Sequence, residues 1–372
     1  MNPFSYGTIV RGSNFYDRKE ECTRIVEILS GGNNLVLYAP RRFGKTSLVF
    51  KAIEQLEAQG FICIYFDFMP VFSQESFVRL YAKALALKQS NLQKFTQTFA
   101  AIIKNIRPLL SFNADGTPEF SIDFAGSTVD ETVISQLLDM SEKLAGAANK
   151  RVIVFFDEFQ EVEKLSGIHF ESLLRSKIQQ QHATNYLFFG SKTHLLKELF
   201  NNKKRAFYNA ASQMSIGPLP EKDTIEFLQN KFSNSAITLD VETAQYIISV
   251  AASVPHYIQL LAAEIWQYMI NSYKTVSKEI VDDCAGRLLS LKGDYYMELF
   301  NNQSKSKKQL LQALMVNGEN IFSTAYITTH RLPSAATLQR AAKDLVMNGT
   351  VEKINNTYFI ADPFFKLFLA TT

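Results

Sequence analysis

Short apolar runs alternate with amphipathic segments over the first 219 residues of the chain. The runs are nearly continuous in Val, Ile, Leu, Phe and Tyr, as strands are when helices cover both faces of a sheet. Between the runs, apolar positions recur with helical spacing, for example over 46–59 and 73–89. This alternation predicts a parallel α/β sheet. The five predicted strands are 34–39, 61–68, 151–159, 185–191 and 213–219.

Two segments differ from this alternation of strands and helices, one within the first 219 residues and one after them. Residues 105–126 contain the turn sequence NADGTP between two partly alternating runs, which predicts a β-hairpin insertion. Residues 220–300 have helical periodicity only, and we interpret them as a helical lid domain.

The C-terminal segment predicts a third kind of domain. The polar and basic stretch 301–309 is a plausible boundary. It is followed by predicted helices over 307–316 and 334–347 and by a hairpin that turns at Asn355–Asn356. Helices followed by a two-stranded wing are typical of a winged helix-turn-helix. The predicted domains are 1–219 (with the insertion at 105–126), 220–300 and 301–372.

Composition narrows the class of protein only slightly. The length of 372 residues suits two or three domains, and the net charge of +3 gives no global case for nucleic-acid or membrane binding. Three scattered cysteines (Cys22, Cys63 and Cys284) fit a reducing compartment better than a disulfide framework. The chain lacks an apolar run of about 18 residues and a signal-peptide pattern. We therefore expect a cytoplasmic protein without a membrane partner.

The stretch APRRFGKT (39–46) follows a predicted strand and opens a predicted helix, which is the context of a phosphate-binding loop. Gly44 allows the backbone to approach phosphate, Lys45 places a charge at the β- and γ-oxygens, and Thr46 coordinates Mg²⁺. Ala39 replaces the usual first glycine. The methyl group of alanine can be accommodated at this position if the backbone does not need a positive φ. The alternative is a basic turn without a ligand. The expected nucleotide-binding residues here are Ala39, Pro40, Arg41, Arg42, Phe43, Gly44, Lys45, Thr46 and Ser47.

Carboxylates end the third predicted strand. Asp157 and Glu158 follow a fully apolar run, a costly place for two acids unless they meet a cation or water at the sheet edge. We expect Asp157 to hold Mg²⁺ and Glu158 to orient and deprotonate the attacking water. The alternative is a strand that ends in solvated acids. Ser191, after the fourth strand, either bonds the γ-phosphate or the attacking water or belongs to a turn. The expected catalytic residues are Glu158, Lys45 and Ser191.

Taken together, these motifs resemble the archaeal-ATPase-type branch of the STAND class, relatives of AAA+ and origin-recognition ATPases. The resemblance rests on RRFGKTSL (Walker A), FFDEFQEV (Walker B), FFGS and VPHYIQLL, and it covers nearly the whole chain. It implies a P-loop NTPase fold of the ASCE type, with a five-stranded parallel sheet of order 5-1-4-3-2, a helical lid and a winged helix. It also implies ATP or ADP as ligand and Mg²⁺ as cofactor.

Further residues are implied by the resemblance, position by position. Phe15, Tyr16 and Arg18 match the N-terminal aromatic-then-arginine run that packs near the adenine. Pro255 matches the Gly-x-Pro of the lid, next to nucleotide, although Ser253 replaces its glycine.

One expected residue of the family is missing. Ala210 stands where the family often has a finger arginine, and Lys203, Lys204 and Arg205 just upstream either substitute for it or form a solvated basic turn. A finger arginine is worth roughly 10³–10⁵ in turnover. Its absence predicts tight binding and slow hydrolysis, the behaviour of a switch.

Two functions remain open at this stage. The first is a slow, Mg²⁺-dependent ATPase that acts as a nucleotide-driven switch, with a protein or another copy of the chain as partner. The alternative is a DNA-binding regulator with a structural or inert nucleotide site. The predicted recognition helix offers the polar positions Thr337, Gln339, Arg340 and Lys343, with Arg331 before it and Lys353 in the wing. This basic footprint is sparse, which favours a protein-docking or autoinhibitory role over DNA. Of Arg41 and Arg42, one is expected to reach the nucleotide or an acid and the other to be exposed.

Overall fold

The computed structural model describes most of the chain, and its backbone contacts separate two compact units. The lid–wing unit comprises Met1–Arg18, Pro40–Ser47 and Gly217–Thr372. The sheet unit comprises Lys19–Ala39 and Leu48–Ile216. The described residues are 2–9, 15–16, 18–104, 106–124, 126, 128–165, 170–270, 275–354 and 356–371.

The sheet unit is built on five parallel strands. Its three central strands are buried along their whole length, which explains their continuous apolar runs, whereas the two edge strands are partly exposed. The strands of this unit are β1 (Leu35–Tyr38), β2 (Ile62–Asp67), β3 (Arg107–Phe112), β4 (Pro118–Asp123), β5 (Val152–Asp157), β6 (Thr184–Gly190) and β7 (Ser212–Ser215).

The sheet has the order β2-β5-β6-β1-β7. These numbers differ from the expected 5-1-4-3-2 because the numbering along the chain counts the hairpin strands β3 and β4, which pair only with each other. If only the five sheet strands are numbered, the observed order is 2-3-4-1-5, which is the expected sequence read from the opposite edge. Register aligns Tyr38 with Gly190, and Phe156 with Phe188. The carboxyl ends of β1, β5 and β6 therefore meet at one edge of the sheet.

Helices surround this sheet, and local chemistry fixes several of their ends. Ser73 caps its helix reciprocally with Ser76, and Asp130 accepts the backbone N–H of Val133 at the start of another. The helices are α1 (Lys19–Ser30), α2 (Lys45–Ala58, whose first turn belongs to the lid–wing unit), α3 (Gln74–Ala86), α4 (Leu92–Ile102), α5 (Glu131–Ala148), α6 (Phe170–Gln180) and α7 (Thr193–Asn201), with a 3₁₀ helix at Phe159–Lys164.

Among its described residues, the lid–wing unit consists mainly of helices, with an antiparallel hairpin formed by β8 (Val351–Ile354) and β9 (Thr357–Ile360). The predicted turn of this hairpin includes Asn355, which lies outside the described residues. The helices are α8 (Glu221–Ser233), α9 (Val241–Val250), α10 (Pro255–Met269), α11 (Lys278–Leu291), α12 (Gly293–Asn301), α13 (Lys305–Leu314), α14 (Thr324–Thr329), α15 (Ala335–Met347) and α16 (Pro363–Thr371).

The end of α9 has a feature that matters for the lid. Ala252 donates to the carbonyl of Ser249 and Ser253 to that of Ile248, which is the paired hydrogen bonding of a Schellman cap. Ala252 and Ser253 both have positive φ, 51° and 57°. Glycine normally occupies such positions, so this turn is strained at the place where the family has its glycine. Across the described part of the chain, no helix has the length and apolarity that crossing a membrane requires.

Candidate functional site

The phosphate loop leaves β1 through Ala39, which is fully buried and is not among the described residues with positive φ. A methyl is therefore compatible with the backbone at this position. Gly44 has φ of +78°, a conformation that favours glycine over any side chain. The loop thus tolerates alanine at its first position and requires glycine at Gly44.

The loop ends in the first turn of α2, where the backbone N–H groups of a helix have no intrahelical partner. Lys45 and Ser47 are buried, with 7% and 8% of their surface exposed, and Thr46 is half-buried. A helix N-terminus with a lysine and a hydroxyl is suited to bind a phosphate group.

Arg18 supports the loop from the N-terminal segment. It is only 2% exposed, and its Nη2 donates to the carbonyl oxygens of Phe43 (3.1 Å) and Gly217 (2.7 Å). Tyr16 stacks on Phe227 with ring centroids 3.7 Å apart, and Phe15 is half-buried. The structure therefore places these three predicted residues in the same unit as the loop, and gives Arg18 a loop-bracing contact that the sequence did not indicate.

The two loop arginines contact the winged helix. The guanidinium of Arg42 lies 3.3 Å from a carboxylate oxygen of Asp362, at the start of α16, and 4.8 Å from the ring centre of Tyr257. Arg41 lies beside Gly349, and its backbone N–H and charge act against the burial that raises the pKa of Glu352. A cavity of about 170 Å³ separates this part of the loop from the wing. Both arginines are exposed, and Asp362, the residue before α16, pairs with Arg42.

The lid residue Pro255 is the first residue of α10, where proline lacks only an N–H that would be unpaired anyway. Next to it, the backbone N–H of His256 donates to the carbonyl of Arg42 (3.4 Å). Burial, together with the charges of Arg42 and Lys292, lowers the pKa of His256 to about 4. The imidazole is therefore neutral at neutral pH.

In the sheet unit, Asp157 is the last residue of β5 and is 6% exposed. One of its oxygens accepts the backbone N–H of Glu158 (2.8 Å) and the other accepts the hydroxyl of Tyr65 (2.6 Å). Burial, followed by the charge of Asp157, raises the pKa of Tyr65, so this hydroxyl stays protonated and donates. The carboxylate is thereby fixed in orientation.

Glu158 and Ser191 come together at the same edge of the sheet. Oε2 of Glu158 accepts the backbone N–H of Ser191 (3.1 Å), the hydroxyl of Ser191 (2.8 Å) and the amide of Gln160 (2.5 Å). Ser191 thus lies where it touches the predicted general base. Beside it, Glu161 is 3% exposed and bonds Lys164 and Lys192. Burial disfavours the charge on Glu161, but the two lysines outweigh it and hold its pKa below the usual range.

Sequence reasoning missed Tyr65 and Gln160. Tyr65 was part of the apolar run FICIYFDF, where a lone hydroxyl gives no signal of its direction. Gln160 stood inside FFDEFQEV, and its polarity next to two acids was the available signal.

Among the described residues, no cluster of three or more His, Cys, Asp or Glu side chains is arranged to hold a metal. Mg²⁺ in nucleotide enzymes is commonly held by one or two protein oxygens together with phosphate and water. Asp157 and the Thr46 hydroxyl, each taken by itself, are oxygen donors of the kind that Mg²⁺ prefers.

Arg205 is occupied by acids of its own unit. It forms a bidentate pair with Glu171, from Nε to Oε1 (3.3 Å) and from Nη2 to Oε2 (2.7 Å), and a further bond to Glu163 (2.7 Å). Lys203 and Lys204, on the same turn, are exposed. Arg205, which lies five positions before Ala210 in the sequence, is therefore already paired.

On α15, the apolar positions Leu338, Ala341, Ala342 and Leu345 are buried, and Gln339, Arg340 and Lys343 are exposed, with Thr337 half-buried. The acid Asp344 is also exposed and pairs with Lys307 (3.1 Å). The exposed face of this helix is thus mixed in charge.

Comparisons with known proteins agree with this architecture. Residues 15–185 match a family described as an ATPase domain predominantly from Archaea, and residues 294–371 match a probable winged helix domain. The Walker-type ATPase PABY2304 of Pyrococcus abyssi is 19% identical, with 99% of each chain covered and a TM-score of 0.65. The ORC2 protein of Aeropyrum pernix, in ADPNP–ADP complexes, is 12% identical, with 100% of this chain and 96% of that chain covered and a TM-score of 0.56. No curated protein matches the chain.

Fold and motifs together define an α/β P-loop ATPase fold with a winged helix. More specifically, residues 15–185 are similar to an ATPase domain found predominantly in Archaea, and residues 294–371 are similar to a winged helix domain. At the identities given above, the likeness to the solved structures concerns the fold.

Proposed function

We propose that this protein binds ATP with Mg²⁺, hydrolyses it slowly and acts as a nucleotide-driven switch. The observation that carries the proposal is the contact of the phosphate loop with the winged helix through Arg42 and Asp362. A loop that binds phosphate and also bonds the C-terminal domain is suited to pass the state of the nucleotide to that domain. The same proposal includes that this protein is a member of the STAND class, whose members are relatives of AAA+ ATPases.

Nucleotide binding is assigned to the loop residues 39–47, with Phe15, Tyr16, Arg18 and Pro255 from the N-terminal segment and the lid. The helix N-terminus at Lys45 and the left-handed Gly44 support the phosphate contacts. The bracing of the Phe43 carbonyl by Arg18 supports a preformed loop.

Hydrolysis is assigned to Glu158 as general base, with Lys45 at the phosphates and Ser191 beside the base. Asp157 and Thr46 would hold Mg²⁺, which when bound neutralises charge on the β- and γ-phosphates. The carboxylate of Glu158 is held by hydrogen bonds, so it is positioned rather than freely rotating. A positioned base needs little reorganisation to accept a proton from water.

Slow turnover follows from the missing arginine. Ala210 stands at the expected finger position, and Arg205 is held by Glu171 and Glu163. Without a cation on the developing charge, turnover is expected to fall below the rate of typical enzymes, roughly 10 s⁻¹.

The test is ATP turnover of the purified chain with Mg²⁺, beside Glu158→Gln and Lys45→Ala. We expect slow turnover in the wild type, ATP binding without turnover in Glu158→Gln, and loss of binding in Lys45→Ala. A wild-type rate well above about 10 s⁻¹ would contradict the slow-switch proposal. Binding without turnover in the wild type, unchanged by Glu158→Gln, would point to a structural or sensing site.

DNA binding by the winged helix is the second candidate, and it rests on the exposed Gln339, Arg340 and Lys343 of α15. The exposed Asp344 on the same helix weakens it, which leaves a protein partner or a second copy of the chain as the favoured partner. Retention on random duplex DNA that falls steeply with salt would support DNA binding. Absence of retention at low salt would dismiss it.

A further inference from the structure

We propose that Gln160 is the positioning residue of the base Glu158, and that Gly190 is a glycine so that Gln160 can reach it. This inference rests on the proposed ATPase function, since it concerns how that function's base is held. Gln160 and Gly190 lie inside the motifs FFDEFQEV and FFGS, but neither residue was given a role there.

The first observation is the convergence of donors on a single oxygen. Oε2 of Glu158 receives the Gln160 amide at 2.5 Å as well as the N–H and the hydroxyl of Ser191. Two of these three bonds come from Ser191, on the neighbouring strand end. Gln160 approaches from the segment that follows the base. Together they fix both the position and the rotation of the carboxylate.

The second observation is the fit of Gln160 against Gly190. A Cβ added to Gly190 would overlap Oε1 of Gln160 and lie 3.3 Å from the Cα of Glu158. Gly190 is not among the glycines with positive φ, so its backbone conformation does not require glycine. Space for the Gln160 side chain does.

The third observation argues against a purely structural role. Gln160 is 2% exposed, and its Oε1 has no hydrogen-bond partner among the described residues. A buried acceptor without a partner is destabilising, whereas the amide of the same side chain donates to the carboxylates of Glu158 (2.5 Å) and, at 3.4 Å, Glu161. Exceptions to polar satisfaction of this kind concentrate at functional sites.

The backbone around the base also needs support. Glu158 adopts φ of 48°, an unfavourable conformation for a residue with a side chain, which persists only when neighbours over-determine it. Phe159 is fully buried and packs on Phe188 at 4.6 Å between ring centres. This packing anchors the 3₁₀ helix, and with it Gln160, to the sheet.

The kinetic test compares Gln160→Met with the wild type in kcat and KM for ATP. Methionine keeps the volume and removes the donor. We expect kcat to fall roughly 10- to 100-fold, as it does when a reacting group is misplaced, with KM changed by less than about twofold. Thermal unfolding of Gln160→Met is expected to change little, because removal of the unpaired Oε1 offsets the loss of the amide's hydrogen bonds to Glu158 and Glu161. Gln160→Glu, which keeps the shape and replaces the donor by an acceptor, is expected to lose kcat in the same way.

Gln181→Met is the matched control. Both ends of Gln181 are bonded, to the carbonyl of Leu138 (2.9 Å) and to the hydroxyl of Tyr186 (2.5 Å), away from Glu158. We expect the opposite result here, which is lower stability and unchanged kcat. In a third arm, Gly190→Ala should lose kcat and stability, and the double variant Gly190→Ala/Gln160→Ala should recover stability but not kcat.

The outcomes separate this inference from the proposed function. If the wild type hydrolyses ATP and Glu158→Gln does not, but Gln160→Met and Gln160→Glu keep wild-type kcat, the role of Gln160 is refuted and the ATPase function stands. A rise in KM that accounts for the whole loss would also refute it, because it would indicate a binding role. If the wild type has no turnover, the proposed function fails and the inference fails with it.

Discussion

The pair formed by Arg42 and Asp362 gives the most direct test of the contact between the phosphate loop and the winged helix. At 3.3 Å, Coulomb's law in bulk water gives about 1.3 kcal/mol. The Arg42 side chain is 45% exposed and that of Asp362 18%, so solvent screening and side-chain entropy reduce the net interaction. We expect a coupling of about 0.5–1 kcal/mol, as measured for partly exposed pairs.

Asp362 has a second role that the experiment must remove. Its other carboxylate oxygen accepts the backbone N–H of Phe364 (2.9 Å) at the start of α16, so replacing it with alanine would also lose a helix cap. Asparagine keeps an acceptor for the cap and removes the charge. The cycle therefore uses Arg42→Met, Asp362→Asn and the double variant.

Fluorescence of Trp266 is the assay for this cycle. The chain has a single tryptophan, and Trp266 lies in α10 of the lid–wing unit, where its Nε1 donates to the hydroxyl of Ser235 (2.7 Å). Urea unfolding followed by this signal reports the free energy of unfolding of that unit, whereas a whole-protein signal would mix two units. The coupling should shrink as salt is raised. A coupling below about 0.2 kcal/mol at low salt would refute the ion pair and remove the main support for the switch.

Two further predictions concern the same unit. Ala252→Gly relieves the strain of a left-handed residue at the end of α9 and should stabilise the lid–wing unit by about 0.5–1 kcal/mol in urea unfolding. Ala251→Gly is the control and should not stabilise the unit, because Ala251 has a φ of −82°. If Ala252→Gly destabilised the unit, the cap geometry would be wrong. The folded pKa of His256 is about 4, below its ordinary value of 6.5, because of burial and the charges of Arg42 and Lys292. The unfolded chain therefore binds the proton more tightly, so stability present above pH 6.5 should fall as the pH is lowered towards 4. His256→Gln should flatten this part of the pH profile, and an identical profile in both proteins would contradict the neutral, buried imidazole.

The strands show how accurately secondary structure can be predicted from this sequence. The central strands β1, β5 and β6 were predicted to within about two residues, because a strand buried on both faces must be continuously apolar. The edge strand β7 was placed less well: 213–219 was predicted and Ser212–Ser215 is observed. Its side chains are mostly exposed, so hydrophobic pattern carried little information there.

The candidate site divides in the same way. The phosphate loop and the acids at 157 and 158 were identified from the sequence because their chemistry depends on residue type and local spacing. The hydroxyl of Tyr65 on Asp157 and the amide of Gln160 on Glu158 were not, because each depends on side-chain direction. Periodicity along the chain contains no information on that direction.

By itself, then, the sequence determined the class of fold, the loop and the acids, since burial and phosphate chemistry constrain residue types within short segments. Only the tertiary structure decided which partners those residues have. Arg42 and Asp362 are 320 positions apart, and Ser191 lies 33 positions from Glu158. Contacts over such separations arise from the packing of distant segments, and no local pattern in the sequence encodes them.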